Sequence, residues 1–66
     1  MGLGASKRVR LHLKDGKSFE GLLVHKRPEF VLEIADLILP GDKRQQIDGR
    51  VRVLRADVAF WQELPS

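Results

Sequence analysis

The feature that most constrains the fold is a strict alternation of polar and apolar residues at positions 8–14, "RVRLHLK". The apolar side of this segment consists of Val9, Leu11 and Leu13. A period of two residues is typical of a β-strand with one buried face. Asp15-Gly16 follows directly, and this dipeptide favours a tight hairpin turn because both residues tolerate positive φ. The segment therefore predicts a strand that enters a β-hairpin.

The returning strand of this hairpin is predicted from Lys17 to Val24, with Phe19 and Leu23 on one face. Gly21 stands between these two apolar residues. A glycine inside a short strand indicates a sharp bend or a close approach of another backbone. We expect the sheet to bend or to pack tightly at this position.

The next segment, "PEFVLEIADLILPG" at positions 28–41, fits two interpretations. Glu33 and Asp36 are spaced as on one face of a helix, and Pro28 and Gly41 suit the two helix ends. Its many branched and aromatic residues and the missing N-cap residue favour a strand instead. The pattern alone leaves both interpretations open.

The remaining residues predict two further strands. Positions 40–49 are polar, begin with Pro-Gly and end with Asp-Gly, which indicates a loop or an extended hairpin turn. Positions 50–56, "RVRVLRA", alternate again, and positions 55–57 are expected to form a tight connection. The final segment "VAFWQEL" is predicted to place Val58 and Phe60 on one face and Ala59 and Trp61 on the other. An edge strand that is apolar on both faces exposes apolar side chains and unpaired backbone groups, so we expect another segment or another copy of the chain to pack against it.

Length and composition restrict the function further. The chain has 66 residues and no cysteine, so we expect one domain at positions 8–66 after a flexible lead-in at 1–7, in a reducing compartment. No apolar run reaches the roughly 20 residues of a membrane span, and the start lacks a signal-peptide core. A cytoplasmic protein is predicted.

The short length of the chain also bears on its stability. A chain of this length buries only about 60% of the surface that it exposes when unfolded, which favours oligomerisation as a source of further burial.

The chemistry-bearing residues argue against an enzyme. No nucleophile motif, phosphate-binding glycine loop or paired carboxylate is recognisable, and two histidines are too few for a typical metal cluster. We expect no cofactor and no metal. The net charge of +3 permits a polyanionic partner, and an ordinary solvated surface explains it equally well.

The strand pattern resembles the Sm-like family of small β-barrels that close into rings. The matching positions are Asp15, Gly16, Gly21, Leu23 and Leu32 in its first signature, and Leu54, Arg55 and Val58 in its second. The chain also resembles short bacteriophage proteins of this barrel type, in its Gly-bearing second strand and basic loop, at Phe30-Val31-Leu32 and at Val58-Ala59-Phe60-Trp61-Gln62. The resemblance implies an all-β, five-stranded, strongly bent antiparallel barrel, with a strand rather than a helix at positions 29–39.

The resemblance also implies how copies of the chain associate. In Sm-like rings the last strand of one subunit pairs with the fourth strand of its neighbour, which would cover the two-faced final strand. The implied interface residues are Val51, Val53, Val58, Phe60 and Trp61.

The base-binding loop of RNA-binding relatives is only partly matched. By the resemblance, Arg27 stands at the acidic position, Phe30 near the stacking position and Val31 at the base-reading asparagine, while Arg55 is kept. Valine cannot read a base edge. The candidates for nucleic-acid contact are Lys26, Arg27, Phe30 and Arg55, with Phe30 as a core residue in the alternative interpretation.

Two functions remain open at this point. The first is a non-enzymatic oligomer that binds RNA or single-stranded DNA through basic loops with little sequence preference. The second is a structural or adaptor protein, such as a component of a phage particle, that contacts phage or host proteins without a nucleic-acid role.

Overall fold

The computed structural model describes residues 7–65 and shows an all-β protein built as one antiparallel sheet, as predicted. A short 3-10 turn at Arg55–Asp57 precedes the last strand. The six strands are β1 (Lys7–Leu13), β2 (Ser18–His25), β3 (Phe30–Leu39), β4 (Lys43–Ile47), β5 (Val51–Val53) and β6 (Val58–Glu63).

The predicted count of five strands is wrong, because part of the predicted loop at 40–49 forms β4. This strand pairs with the second half of β3, from Ala35↔Ile47 to Leu39↔Lys43. Its side chains are almost all exposed, so neither face is buried against the core. A strand with no buried face has no apolar period, and the sequence pattern could not indicate it.

The strand order is β4-β3-β2-β1-β6, and β5 pairs with the first half of β3. Over residues 7–65, β6 pairs with β1 alone, and β4 and β5 pair with β3 alone. The described sheet is therefore open, and the closure expected of a barrel is not seen within one chain.

The disputed segment at 28–41 forms the long strand β3, so the strand interpretation is confirmed. β3 changes partner between Leu32, which pairs with β5, and Ala35, which pairs with β4. Ile34 lies between them with φ of 51°, a conformation that β-branched residues rarely adopt. β3 also carries one more residue than β2 here, because Glu20 pairs with Asp36 whereas Leu22 pairs with Glu33.

Gly21 lies opposite this irregularity and confirms the predicted close approach. A Cβ atom at Gly21 would lie 2.9 Å from the carbonyl oxygen of Glu33 and 3.0 Å from the Cα of Ala35. Both contacts involve backbone, which cannot move aside without breaking the ladder. The bend of the sheet thus requires glycine at this position.

The core forms on the inner face of the bent sheet. Leu13, Phe19, Leu23, Val51, Val58 and Trp61 pack around its edge. Its fully buried members are Val9, Leu11, Phe30, Leu32, Ala35 and Val53.

The predicted facing of the last strand is wrong. Leu13 pairs with Val58 and His12 pairs with Phe60, so Ala59 is an extra residue in β6. This bulge reverses the alternation after Ala59. Val58 and Trp61 consequently both pack against the core, whereas Phe60 faces solvent.

The ends of the chain require one correction. Lys7 is the first residue of β1, so the lead-in predicted at 1–7 extends into the strand by one residue. Residues 1–6 lie outside the described part.

Across residues 7–65, no helix has the length and apolar character needed to cross a membrane.

Candidate nucleic-acid interface

The two loops that carry the predicted cationic residues meet at one end of the sheet. Arg55, at the start of the 3-10 turn, donates a hydrogen bond from Nη1 to the backbone carbonyl of Lys26 in the β2–β3 loop. The same turn also contacts the first hairpin, since the backbone N–H of Lys14 donates to the carbonyl of Asp57 at 3.0 Å. The three connections at 14–17, 26–29 and 54–57 are thereby held together, and we call them the loop end.

Phe30 does not offer the stacking face that the family resemblance implied. Its side chain is 2% exposed. Cζ of Arg55 lies 4.9 Å from the ring centroid, and Trp61 approaches edge-on with 5.7 Å between ring centroids. Phe30 is therefore a core residue, as the alternative interpretation held.

Most of the basic side chains form ion pairs with carboxylates, Lys17 of the loop end included. Arg50 bonds Glu33 at 2.8 Å and Arg52 bonds Glu29 at 2.9 Å. The other pairs are Lys7–Glu63, Lys17–Asp15, the contacts of Arg8 and Arg10 with Glu20, and the contacts of Arg44 with Glu20 and Asp36.

Several basic side chains at the loop end have no carboxylate partner among the described residues. Among residues 7–65, the side chains of Lys14, Lys26 and Arg27 form no ion pair, and all three are exposed. Lys14 was missed by the sequence interpretation. It belongs to this group only because the 55–57 turn packs against the first hairpin, and no local pattern indicates that contact.

Arg55 differs from these three because its guanidinium is engaged by Phe30 and by the Lys26 carbonyl. Arginine carries further N–H donors in its planar fork, so it can hold the loops and still face an anion. Its structural effect is to fix the position of Lys26 relative to the turn.

The best-formed electrostatic cluster lies away from the loop end, around Glu20 on β2. Glu20 is 6% exposed and accepts hydrogen bonds from Arg10 at 2.8 Å, from Arg44 at 3.2 Å and from Arg8. Burial by itself raises the pKa of Glu20, but the bonds and charges of Arg10 and Arg44 outweigh burial, and the pKa lies below its ordinary value. The carboxylate thus stays ionised and ties β2 to β1 and β4.

No family model matches the chain, and no curated protein matches it. The resemblance to Sm-like proteins therefore stays a prediction from the residues quoted above.

The implied oligomer-interface residues fall into three groups. Val53 is 5% exposed and belongs to the core, so its side chain cannot contact a neighbouring copy. Val51, Val58 and Trp61 are partly buried and pack against that core. Phe60 alone presents a largely exposed side chain, at 57%.

The remaining chemistry of the described chain is limited. No group of three or more His, Cys, Asp or Glu side chains is placed to hold a metal ion within residues 7–65. His12 bonds Gln62 and Ser18 on the neighbouring strands. These hydrogen bonds hold the His12 imidazole between β6 and β2.

Proposed function

We propose that the protein is a non-enzymatic, Sm-like oligomeric module that binds RNA or single-stranded DNA through the loop end. One observation carries the proposal. Three of the exposed cations without an ion pair among residues 7–65, Lys14, Lys26 and Arg27, lie on connections that the 3-10 turn holds together, whereas Lys43 lies apart at the start of β4. Exposed, unneutralised cations on adjacent loops attract a phosphate backbone.

The loop end is suited to phosphate and poorly suited to base recognition. Val31 is 2% exposed and carries no polar group, so it cannot replace an asparagine that reads a base edge. Phe30 is covered on the side of Arg55. Binding is therefore expected to depend on salt and to show little preference for sequence.

Oligomerisation supports this function by repeating the loop end. In the described part of the chain, β6 pairs with β1 alone, and β4 and β5 both pair with β3 alone, so each of the three has one edge without a partner strand. Joining β6 of one copy to the edge formed by β4 and β5 of the next would continue the sheet and give these edges partners. A ring would multiply a small subunit charge into a strong local field.

The test measures binding of a fluorescent single-stranded RNA and a single-stranded DNA by anisotropy over a range of salt concentrations. The double variant Lys26→Ala/Arg27→Ala is expected to weaken both interactions and to flatten the salt dependence by about 0.7 per lost phosphate contact. Arg50→Ala/Arg52→Ala is the matched control, because it also removes two positive charges, each of which is paired with a carboxylate in the structure. Absence of binding at low salt, or equal losses in both variants, contradicts the proposal.

The oligomer is tested separately by proline substitution in β4. Gln45 and Gln46 are consecutive in an antiparallel strand, so the backbone N–H of one faces β3 and that of the other faces the open edge. Of Gln45→Pro and Gln46→Pro, one should destabilise the fold, and the other should lower the native mass without unfolding the protein. A chain that is monomeric before any substitution contradicts the ring.

The second candidate function, a structural or adaptor protein, rests on exposed apolar side chains. Ile34 is 72% exposed and Leu54 is 60% exposed. A protein partner that covered either side chain would remove apolar area from water. A protein partner that stays bound after nuclease treatment and is released by Ile34→Ser or Leu54→Ser would favour this function over nucleic-acid binding.

A further inference from the structure

The outer face of the sheet carries an exposed aromatic ring that the loop end does not use. Phe60 of β6 is 57% exposed although its side chain is large and apolar. One face of its ring is stacked on the imidazole of His12 in β1, with 4.3 Å between centroids and 12° between planes. Because that face is covered, the exposed area lies on the opposite face and along the ring edge.

Hydrogen bonds hold the imidazole beneath Phe60. Nε2 of His12 lies 2.7 Å from Oε1 of Gln62, and Nδ1 lies 3.3 Å from Oγ of Ser18. Both ring nitrogens thus contact side chains of the adjacent strands β6 and β2. The imidazole is fixed from two sides, and the pair presents a flat apolar surface in a defined orientation.

Arginine side chains lie beside this aromatic pair. Arg8 and Arg10 precede His12 at intervals of two residues on β1, so their side chains share its face of the sheet. Residues two apart on a strand are separated by about 7 Å. Phe60 pairs with His12, and Gln62 pairs with Arg10, so the ring and the nearest guanidinium belong to neighbouring positions on two paired strands.

The cluster around Glu20 gives this face a positive outer surface. The Glu20 side chain is 8% exposed, whereas its partners Arg10 and Arg8 are 30% and 46% exposed. Arg44 is 46% exposed and bonds both this carboxylate and Asp36, whose side chain is 36% exposed. Three guanidiniums thus meet two carboxylates, so the cluster keeps one net positive charge. Each guanidinium keeps N–H donors that the carboxylate does not use.

We propose that this outer face, formed by Phe60, His12, Arg8, Arg10 and Arg44, is a stacking site for single-stranded nucleic acid. A base stacks on the exposed face of Phe60, and successive phosphates on one side of this base contact Arg10 and then Arg8. Stacking accepts any base, because every base has a π-face. The ligand class rests on the proposed function, but the site is formed by residues other than those of the loop end.

The chemistry of the face favours this occupant over a protein. The apolar area is a single aromatic pair, and the groups next to it are guanidinium donors held above a buried carboxylate. A flat ring with cations beside it is the combination that single-strand binding surfaces use. Charge and shape are therefore complementary to a base with its phosphates.

The experiment compares an oligothymidylate with an abasic oligonucleotide of the same length, both single-stranded, by fluorescence anisotropy at low salt. Phe60→Leu is expected to weaken oligothymidylate binding about tenfold or more and to leave abasic binding unchanged, because only the base stacks. Phe60→Trp should retain the wild-type affinity. Arg8→Ala should lower the salt slope for both oligonucleotides by about 0.7. Circular dichroism and native mass establish that each variant keeps the fold and assembly.

The outcomes separate this inference from the proposed function. If Lys26→Ala/Arg27→Ala weakens binding while Phe60→Leu binds oligothymidylate like the wild type, the stacking site is wrong and the loop end stands. If Phe60→Leu weakens both oligonucleotides equally, Phe60 does not contact a base. If neither oligonucleotide binds at low salt, the stacking site and the proposed function both fail.

Discussion

The guanidinium of Arg55 lies over the ring of Phe30, with 4.9 Å between Cζ and the ring centroid. The same guanidinium donates to the carbonyl of Lys26. One side chain therefore covers a core aromatic residue and joins the 3-10 turn to the β2–β3 loop. The contact explains how a residue at the surface stabilises the end of the core.

Substitution of Arg55 should test this joint role. Arg55→Ala removes the cation–π contact and the hydrogen bond, and we expect a loss of about 1 kcal/mol in the free energy of unfolding. Arg55→Lys should recover part of the loss, because an ammonium keeps the charge over the ring but not the planar fork. Urea unfolding measures both. Arg27→Ala serves as the control, and a loss of stability there as large as in Arg55→Ala would contradict the assignment.

Glu20→Gln should destabilise the protein at neutral pH. The substitution keeps the shape of the side chain but removes the negative charge that Arg8, Arg10 and Arg44 surround. Removing one partner of a buried ion pair is strongly destabilising, and the partial exposure of these arginines reduces the expected cost to about 1–3 kcal/mol. Chemical unfolding at pH 7 measures the difference.

The pH dependence of stability should carry the signature of Glu20. Its pKa in the folded protein lies below the ordinary value of a glutamate, so the unfolded chain binds the proton more tightly. The stability that Glu20 contributes is complete above the unfolded pKa of about 4.3 and is lost as the pH falls through the lower, folded pKa. Glu20→Gln should flatten the stability profile below about pH 4.3, and an unchanged acid slope would contradict this cause.

Gly21→Ala should disrupt the bend of the sheet. The new methyl group would meet the carbonyl oxygen of Glu33 at 2.9 Å, and overpacking against the backbone costs about 1–3 kcal/mol. Gly16→Asn is the matched control. Gly16 has φ of 96°, but a Cβ atom there would have no neighbour within 4 Å, and asparagine tolerates positive φ better than other residues. Thermal unfolding should therefore show a much larger loss for Gly21→Ala than for Gly16→Asn.

Ile34→Asn should stabilise the isolated protein. Ile34 combines φ of 51° with 72% exposure, so it bears backbone strain and buries little apolar area. Non-glycine residues in this region cost about 1–3 kcal/mol, and asparagine relieves part of the cost. An increase in Tm is expected. Glu33→Asn, at the neighbouring position, is the control that should not raise Tm, and a fall in Tm for Ile34→Asn would show that the strain is not significant.

The local sequence predicts much of this fold because several signals act over a few residues. The alternation around Leu11 and the Asp15-Gly16 turn need only the side-chain period of a strand and the tolerance of positive φ. Gly21 marked a close approach that the structure confirms. At β3 the branched and aromatic residues favoured a strand and the spacing of Glu33 and Asp36 favoured a helix, so only the resemblance to Sm-like proteins predicted the strand that the structure shows.

Only part of the loop end could be predicted from the sequence. Lys26 and Arg27 stand out as adjacent cations, but Lys14 joins them only through a turn more than 40 residues later along the chain. Whether a cation is paired depends on the strand beside it, as Arg52 and Glu29 illustrate. Sequence spacing does not contain that information.

The sequence by itself determined the first hairpin, its two strands and the position of the bend, since each depends on residues close together in the chain. Only the tertiary structure decided that β4 exists, that the bulge at Ala59 turns Phe60 outward, and that Arg55 covers Phe30. These features depend on pairing between distant strands. They are determined by backbone hydrogen bonds and by the register of the partner strand, which a local pattern of side chains does not encode.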